Sequence, residues 1–190
     1  MMQVDQNNDP ILLDELPAIN GYVSSIVRTS SDTFITGSQD CTFRGWEIRD
    51  DQFIGNFNIL TEAPIKCVSI NQDHTLTGKS NLREISLGEI WGRMEDKSFK
   101  KCLALGLENG NVELYQADIT EDWKFHSRIQ VHNAEVLCLS WKQNFLATGG
   151  RDRFVHVIEI DPTSQLSPTK TSVPLDIHTS IVTAVHWMKG

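Results

Sequence analysis

Two groups of polar residues in this chain have types and spacings that could support catalysis. His132, Ser140 and Asp152 could form a nucleophilic triad, in which the imidazole accepts the hydroxyl proton and the carboxylate orients the imidazole. Asp176 and His178 could serve as an acid–base pair or as metal ligands. Both interpretations depend on the local elements that would hold these side chains.

A third candidate is the segment Gly78-Lys79-Ser80, which resembles the end of a phosphate-binding loop. Such a loop cradles phosphate with backbone N–H groups and a lysine, and it needs a further glycine five positions before the one that precedes the lysine. That position holds Asp73, and no helical pattern follows the segment. We therefore expect no nucleotide site and no cofactor.

The triad candidates lie within one unit of short strands, residues 132–160. Its apolar runs cover 135–141, 145–148 and 154–160, and a glycine-rich turn separates the last two. Residues on both sides of these runs are apolar, since Leu137 and Leu139 alternate with Cys138. The pattern predicts a small antiparallel sheet that is covered on both faces.

The same unit recurs upstream with the same internal spacing. Residues 36–48 align without a gap on 148–160, so that Asp40 and Asp152 hold equivalent places in a turn. A third copy has Asn109 at that place, and Asp152 follows it by 43 positions. Asn109 follows Asp40 by 69 positions, which is the period of 43 residues plus 26 further residues. A period of about 40–45 residues is typical of repeat architectures.

These residues resemble the blades of a WD-repeat propeller. The resemblance rests on Gly37, Asp40 and Trp46, on the position of His132 twenty residues before Asp152, and on the strand-like run that follows a further histidine near the end. It implies an all-β fold, an incomplete β-propeller with about three four-stranded antiparallel blades and the first strand of another.

A closer resemblance is carried by five segments in order: IKCVSI, GNVELY, AEVLCLSW, GGRDRFVHVIEI and HTSIVTAVHW. They are similar to the later repeats in the family of the mitogen-activated protein kinase-binding protein and its spindle-pole WD-repeat paralogue. This implies a non-catalytic scaffold for protein interactions, linked to stress-activated kinase signalling and to centrosomes or spindle poles. The alternative is a substrate-recognition subunit of an enzyme complex, such as a ubiquitin ligase.

The predicted organisation is a partial propeller over residues 19–190. Residues 1–18 are a tether or the end of a preceding blade. Three blades follow at 19–60, 61–129 and 130–176, and another blade starts at 178–190. Residues 74–99 are either a loop insertion, which the resemblance favours, or a hairpin of a degenerate blade. We expect the remainder of the propeller to be missing, and the chain alone to be poorly soluble or oligomeric, because the terminal sheets would expose apolar faces.

The resemblance also changes the meaning of the polar residues. In a WD-repeat blade the histidine, the turn aspartate and a strand hydroxyl or tryptophan form a buried relay that ties the sheet together. The predicted structural repeat positions are therefore Asp40, Trp46, Asn109, Tyr115, His132, Asp152 and His178. In the first blade Ile19-Asn20-Gly21 stands where the histidine is expected, so its relay should be incomplete. We expect neither catalytic nor metal-binding residues.

Composition argues against several partners and compartments. A formal net charge of −8 without a basic cluster argues against nucleic acid. No apolar run approaches the roughly 20 residues that span a bilayer, so no membrane is expected. The chain has four cysteines that form no CxxC pair, Cys41, Cys67, Cys102 and Cys138. We interpret them as reduced thiols of a cytoplasmic protein, with the centrosome or spindle pole as a further location.

One regulatory site is predicted at Ser167, which is followed by Pro168 and, three positions on, by Lys170. This is the form preferred by proline-directed kinases. The segment 161–170 is rich in Pro, Ser and Thr and is predicted to be an exposed loop before an outer strand at 170–175. A phosphate there would add about 1.5–2 negative charges beside that strand.

Overall fold

The computed structural model describes residues 21–71, 101–117, 122–161, 166–171, 174–176 and 178–188. These residues form twelve strands and no helix, arranged as three four-stranded antiparallel sheets. The first sheet contains β1 (Val23–Arg28), β2 (Thr33–Ser38), β3 (Thr42–Arg49) and β4 (Gln52–Leu60). The second contains β5 (Ile65–Asn71), β6 (Lys101–Leu107), β7 (Asn111–Ala117) and β8 (Lys124–Gln130). The third contains β9 (Val136–Lys142), β10 (Phe145–Gly150), β11 (Val155–Asp161) and β12 (Ser167–Thr171).

Each sheet is a meander in which consecutive strands pair. The hairpin between β3 and β4 turns at Asp50 and Asp51, whose φ angles of 52° and 59° are the positive values that a tight two-residue hairpin loop demands. Short polar side chains tolerate this left-handed region better than most. Tight turns of this kind keep the four strands of a sheet adjacent, as a propeller blade requires.

The second sheet lies between the other two and is buried on both faces. Every residue of β7 is buried, and in β6 only Lys101 is partly exposed. One core cluster joins Leu103 and Leu105 to Phe43 of the first sheet, and another joins Leu114 to Ile158 of the third. The prediction that the sheets are covered on both faces is thus confirmed most fully in the middle blade.

Glycines in β6 and β10 allow adjacent blades to approach closely. A Cβ at Gly106 would lie 2.5 Å from Sγ of Cys67 and 2.8 Å from Cγ1 of Val136, the first residue of the next inner strand. At Gly149 the corresponding atom is Cγ1 of Val182, at 2.6 Å. Residues 181–188 therefore occupy the place of the next inner strand, although they pair with no strand in the described part of the chain.

The segment 181–188 is fastened to the third sheet by hydrogen bonds. The amide of Val182 donates to the Gly150 carbonyl at 3.1 Å, and Nε1 of Trp187 donates to the Ser140 carbonyl at 2.9 Å. These bonds support the predicted start of another blade near His178. They also engage Ser140 through its backbone rather than its hydroxyl.

The outer strand of the third blade is displaced from its predicted place. It spans Ser167–Thr171 and pairs with β11, whereas a loop over 161–170 and a strand over 170–175 were expected. The prediction was wrong because Pro168 was taken as a loop signal, although an edge strand tolerates a residue without an N–H. Residues 1–18, the insertion at 74–99 and the Gly78-Lys79-Ser80 segment lie outside the described residues.

Candidate functional site

The most complete polar network is centred on His132, which stands just before β9. Its Nδ1 donates to Oδ1 of Asp152 at 2.9 Å, and its Nε2 lies 2.8 Å from Oγ1 of Thr148. The imidazole is buried, with an exposed fraction of 1%. Since the aspartate fixes the proton on Nδ1, Nε2 accepts from the threonine hydroxyl.

Asp152 lies in the turn between β10 and β11, and its carboxylate accepts three hydrogen bonds. Besides the bond from His132, its oxygens accept from the amides of Asn133 at 2.9 Å and Phe154 at 3.2 Å. Burial alone would raise the pKa of Asp152, but these hydrogen bonds and the one from His132 outweigh it and hold the pKa below its usual range. The carboxylate thus ties the turn to the segment before β9.

The triad interpretation does not fit this geometry. The hydroxyl that contacts His132 is that of Thr148, while Ser140 pairs with Ala147 farther along the sheet. With both nitrogens of His132 engaged, the imidazole has no free lone pair with which to activate a substrate. His132 and Asp152 lie where a structural relay requires them.

The first blade contains the other half of this relay. Nε1 of Trp46 donates to Oγ1 of Thr36 at 2.9 Å, and Thr36 is the residue that aligns with Thr148. Asp40 accepts from the amide and hydroxyl of Thr42, at 3.0 and 2.6 Å, and pairs with Arg44 at 3.1 Å. Burial tends to raise the pKa of Asp40, but these donors lower it below its usual range.

The second blade replaces the relay at its turn with a carboxylate from another part of the chain. Oε1 of Glu62, from the connection between β4 and β5, accepts from Nδ2 of Asn109 at 2.5 Å and from Nδ2 of Asn111 at 2.6 Å. Its Oε2 pairs with Arg128 of β8 at 2.5 Å. Asn109 therefore donates where an aspartate could only accept.

A buried carboxylate lies within the same blade. Glu113 of β7 has a side-chain exposure of only 1% and pairs with Arg128 at 2.8 Å. It also accepts from the hydroxyl of Tyr115 at 2.9 Å. Burial, and then the charge of Glu113, raise the pKa of Tyr115, so the phenol stays protonated and donates. Tyr115 also packs against Phe43 of the first blade, with ring centroids 4.9 Å apart.

Arg44, Glu113 and His156 occupy equivalent places in the three blades when the repeats are aligned. Each has a different environment: the first pairs with an aspartate, the second with an arginine and a tyrosine, and the third packs against His132 with ring centroids 4.8 Å apart. The residue type at this position therefore differs with the polar partners that its own blade provides.

A line of alternating charges crosses from the second blade to the third on the side of the β6–β7 and β10–β11 turns. We call Glu108, Lys66, Glu135 and Arg151 the charge ladder. Glu108 pairs with Lys66 at 2.8 Å and Glu135 with Arg151 at 2.8 Å. A hydrogen bond to its own amide, and then the charges of Arg151 and Lys66, lower the pKa of Glu135 and link the two pairs.

The remaining predicted residues take no part in these networks. His178 and Asp176 are exposed, so the acid–base pair has no enclosed site, and the structural role of His178 stays a prediction. Ser167 begins β12, and its use as a phosphosite also stays a prediction. The four cysteines are free thiols, and no cluster of three or more His, Cys, Asp or Glu among the described residues could hold a metal. Nor does that part of the chain contain a helix with the length and apolarity to cross a membrane.

Sequence reasoning missed Thr36, Thr148, Glu62 and Glu113. The first two could have been found from the alignment, because they occupy the same place in two copies of the unit. Glu62 reaches Asn109 across 47 positions, and no local pattern indicates that contact. Glu113 stands within an apolar run, where a lone carboxylate signals a buried partner of opposite charge.

Comparisons with known proteins agree with this geometry. The family described as WD40, WD domain, G-beta repeat, matches residues 123–159, which include the complete relay. WD repeat-containing protein 62 is 27% identical over 170 residues in Sus scrofa and 27% over 172 residues in Mus musculus, covering 82% of this chain in both. The GATOR2 complex protein WDR24 of Gallus gallus is 38% identical over 63 residues, or 32% of this chain. The matched region spans only 10%, 11% and 9% of those proteins, so the chain covers about a tenth of their length.

Solved structures reproduce the arrangement of the sheets. The computationally designed Ika4 protein superimposes with a TM-score of 0.61 at 15% identity, covering 94% of this chain and 88% of the other. U3-55K does so with a TM-score of 0.61 at 16% identity, covering 87% and 42%. Together with the three four-stranded sheets, these findings show that the described residues form a partial β-propeller, in which residues 123–159 match the WD40 repeat.

Proposed function

We propose that this chain is a non-catalytic scaffold that binds other proteins through the turn side of its blades. The observation that carries the proposal is that the residues suited to catalysis are engaged in structural contacts. Both nitrogens of His132 and both oxygens of Asp152 are bonded within the third blade. These residues stabilise a sheet and leave the adjacent surface free to bind partners.

The charge ladder is the part of that surface best suited to recognise a partner. Its ends are exposed, with side-chain fractions of 41% for Glu108 and 63% for Arg151, while Lys66 and Glu135 are more buried. Alternating charges that are fixed by their neighbours contribute specificity and orientation to protein association. A protein segment with the complementary alternation of charges would fit this surface.

A matched pair of variants tests the proposal. Arg151→Ala removes one exposed end of the ladder, and Arg49→Ala removes an equally exposed arginine, 62% against 63%, from the opposite end of a sheet. Each loses one surface salt bridge, worth about 0–1 kcal/mol, so both variants should remain folded. Proteins captured from cells by wild type should be lost with Arg151→Ala and retained with Arg49→Ala. Equal capture by both variants would refute the assignment of the surface.

A finer proposal concerns the setting. The family resemblance of the sequence supports a role in stress-activated kinase signalling at centrosomes or spindle poles, in a cytoplasmic protein. Tagged protein in dividing cells should then concentrate at spindle poles, and proximity labelling there should recover mitogen-activated protein kinase components. A uniform distribution without such components would remove this setting and leave the scaffold proposal intact.

A second candidate is a stable subunit of a larger complex. It is favoured by the 38% identity with a protein named for the GATOR2 complex, although the match covers only 63 residues. The ubiquitin ligase receptor is one form of this alternative. A subunit would elute in one high-mass species that resists about 0.5 M salt, whereas contacts through the charge ladder would weaken because salt screens exposed charges.

A further inference from the structure

His156 of β11 is the buried ionisable group that the relay does not use. It is 8% exposed, and its Nδ1 has no hydrogen-bond partner among the described residues. Its backbone pairs with Thr148 of β10, which places its ring on the same face as the relay. The ring meets His132 edge to face, with centroids 4.8 Å apart and an interplanar angle of 89°.

The ionisable groups that act on His156 are His132 and Asp152. Asp152 accepts from His132 and from two backbone amides, and no hydrogen bond joins it to His156. Phe154, the other ring beside His156, supplies no acceptor, with centroids 6.4 Å apart. A proton on His156 would therefore create a buried cation against His132 whose Nδ1 has no acceptor.

We propose that His156 makes the third blade acid-sensitive, so that uptake of one solvent proton opens β9–β11 while the second blade stays folded. Opening lets the imidazolium reach water and separates it from His132. The second blade has a charged pair, Glu113 with Arg128, at the place equivalent to His156 and lacks the buried imidazole pair. The sensitivity is thus local to one blade.

The sign follows from proton linkage. Burial lowers the pKa of His156 in the folded protein, and the charge of Asp152 only partly opposes this. The unfolded histidine has a pKa of about 6.5, so the open state binds more protons below that value. Stability is complete above pH 6.5 and falls as the pH drops below it, with the opening equilibrium constant rising up to about tenfold per pH unit.

Hydrogen exchange of the whole chain, compared at about pH 7 and pH 5.5 after correction for intrinsic rates, measures this opening. In wild type, β9–β11 amides should lose protection at the lower pH relative to β6 and β7 amides. His156→Gln, which cannot be protonated, should abolish the difference, whereas a change of the exposed His186, His186→Gln, should leave it intact. Equal loss in wild type and His156→Gln would overturn the proposal.

A titration of wild type by NMR provides a second measurement that does not depend on the folding of any variant. The His156 ring signal should remain that of the neutral form as the pH falls past about 6.5, the pKa of an unfolded histidine, until the third sheet begins to exchange. A His156 midpoint at or above about 6.5 would also overturn the proposal.

Discussion

Restoring the repeat consensus at residue 109 should destabilise the protein. Two blades have aspartate in the turn after the second strand, Asp40 and Asp152, so sequence averaging favours Asn109→Asp. In the second blade, however, Nδ2 of Asn109 donates to Oε1 of Glu62 at 2.5 Å. An aspartate would place two carboxylate oxygens in contact where a hydrogen bond now lies.

The magnitude follows from two destabilising contributions, one of which is partly offset. Loss of a hydrogen bond to a charged acceptor costs about 1.5–3 kcal/mol when buried, and less at this exposed turn. Two like charges about 4 Å apart repel by roughly 1 kcal/mol in water, and Arg128 on the other oxygen of Glu62 offsets part of this. We expect Asn109→Asp to lower the free energy of unfolding by about 1–2 kcal/mol.

Urea denaturation, with the midpoint and slope fitted together, measures the change. Glu62→Gln should restore much of the loss, because its amide can donate to the new aspartate, so the double-mutant cycle should give a favourable coupling of about 1 kcal/mol between residues 62 and 109. The reverse change in the third blade, Asp152→Asn, should also destabilise, since it weakens acceptance from His132. A neutral or stabilising Asn109→Asp would show that the turn obeys the consensus and that the contact with Glu62 contributes nothing.

Three further outcomes follow from the blade contacts. Asp152→Ala should destabilise the third blade by about 1–3 kcal/mol at pH 7, because it strands buried donors. Because the pKa of Asp152 is lowered in the folded protein, its stabilising effect is complete above the pKa of the unfolded chain and is lost as the pH falls through the folded pKa, so the cost of the mutation should shrink in acid. Unchanged hydrogen-exchange protection over residues 135–160 would contradict this. Gly106→Ala should lower the free energy of unfolding by about 1–3 kcal/mol, because its Cβ would overpack against Val136. Gly55→Ala should lower it much less, because its Cβ would lie 3.6 Å from the nearest atom. Thermal melts of the two variants measure the difference. The Cys67 thiol should resist a water-soluble disulfide reagent until urea unfolds the chain, because burial raises its pKa; rapid labelling of folded protein would oppose this.

Much of the fold could be predicted from the sequence because the blades repeat. The predicted runs at 135–141, 145–148 and 154–160 correspond to β9, β10 and β11, whose bounds differ from them by at most two residues. Alternation, turn residues and spacing are local signals, and within a meander they also determine which strands pair. The relay of His132 with Asp152 was predicted from the resemblance to WD-repeat blades and not from the period itself.

The contacts that could not be predicted are those that replace a missing repeat residue. Glu62 lies in the connection between β4 and β5 and accepts a hydrogen bond from Asn109 at the turn of the second blade. The number of residues between the two depends on the length of the segment between β5 and β6. Glu113 satisfies its buried charge with Arg128 of a strand that sequence analysis had not delimited. Where the consensus is broken, the compensation is specific to each chain, and the repeat carries no information about it.

The segment that matches the WD40 repeat, residues 123–159, contains the complete relay. Among the described residues, the third blade alone keeps histidine, aspartate and threonine together, while the first retains Trp46 with Thr36, and the second keeps neither. Yet the second blade is the most deeply buried of the three, because its neighbours cover both faces. A blade covered in this way is stabilised mainly by apolar burial, which contributes roughly 25 cal/mol per Å², and it can lose the relay provided that each buried polar group finds another partner.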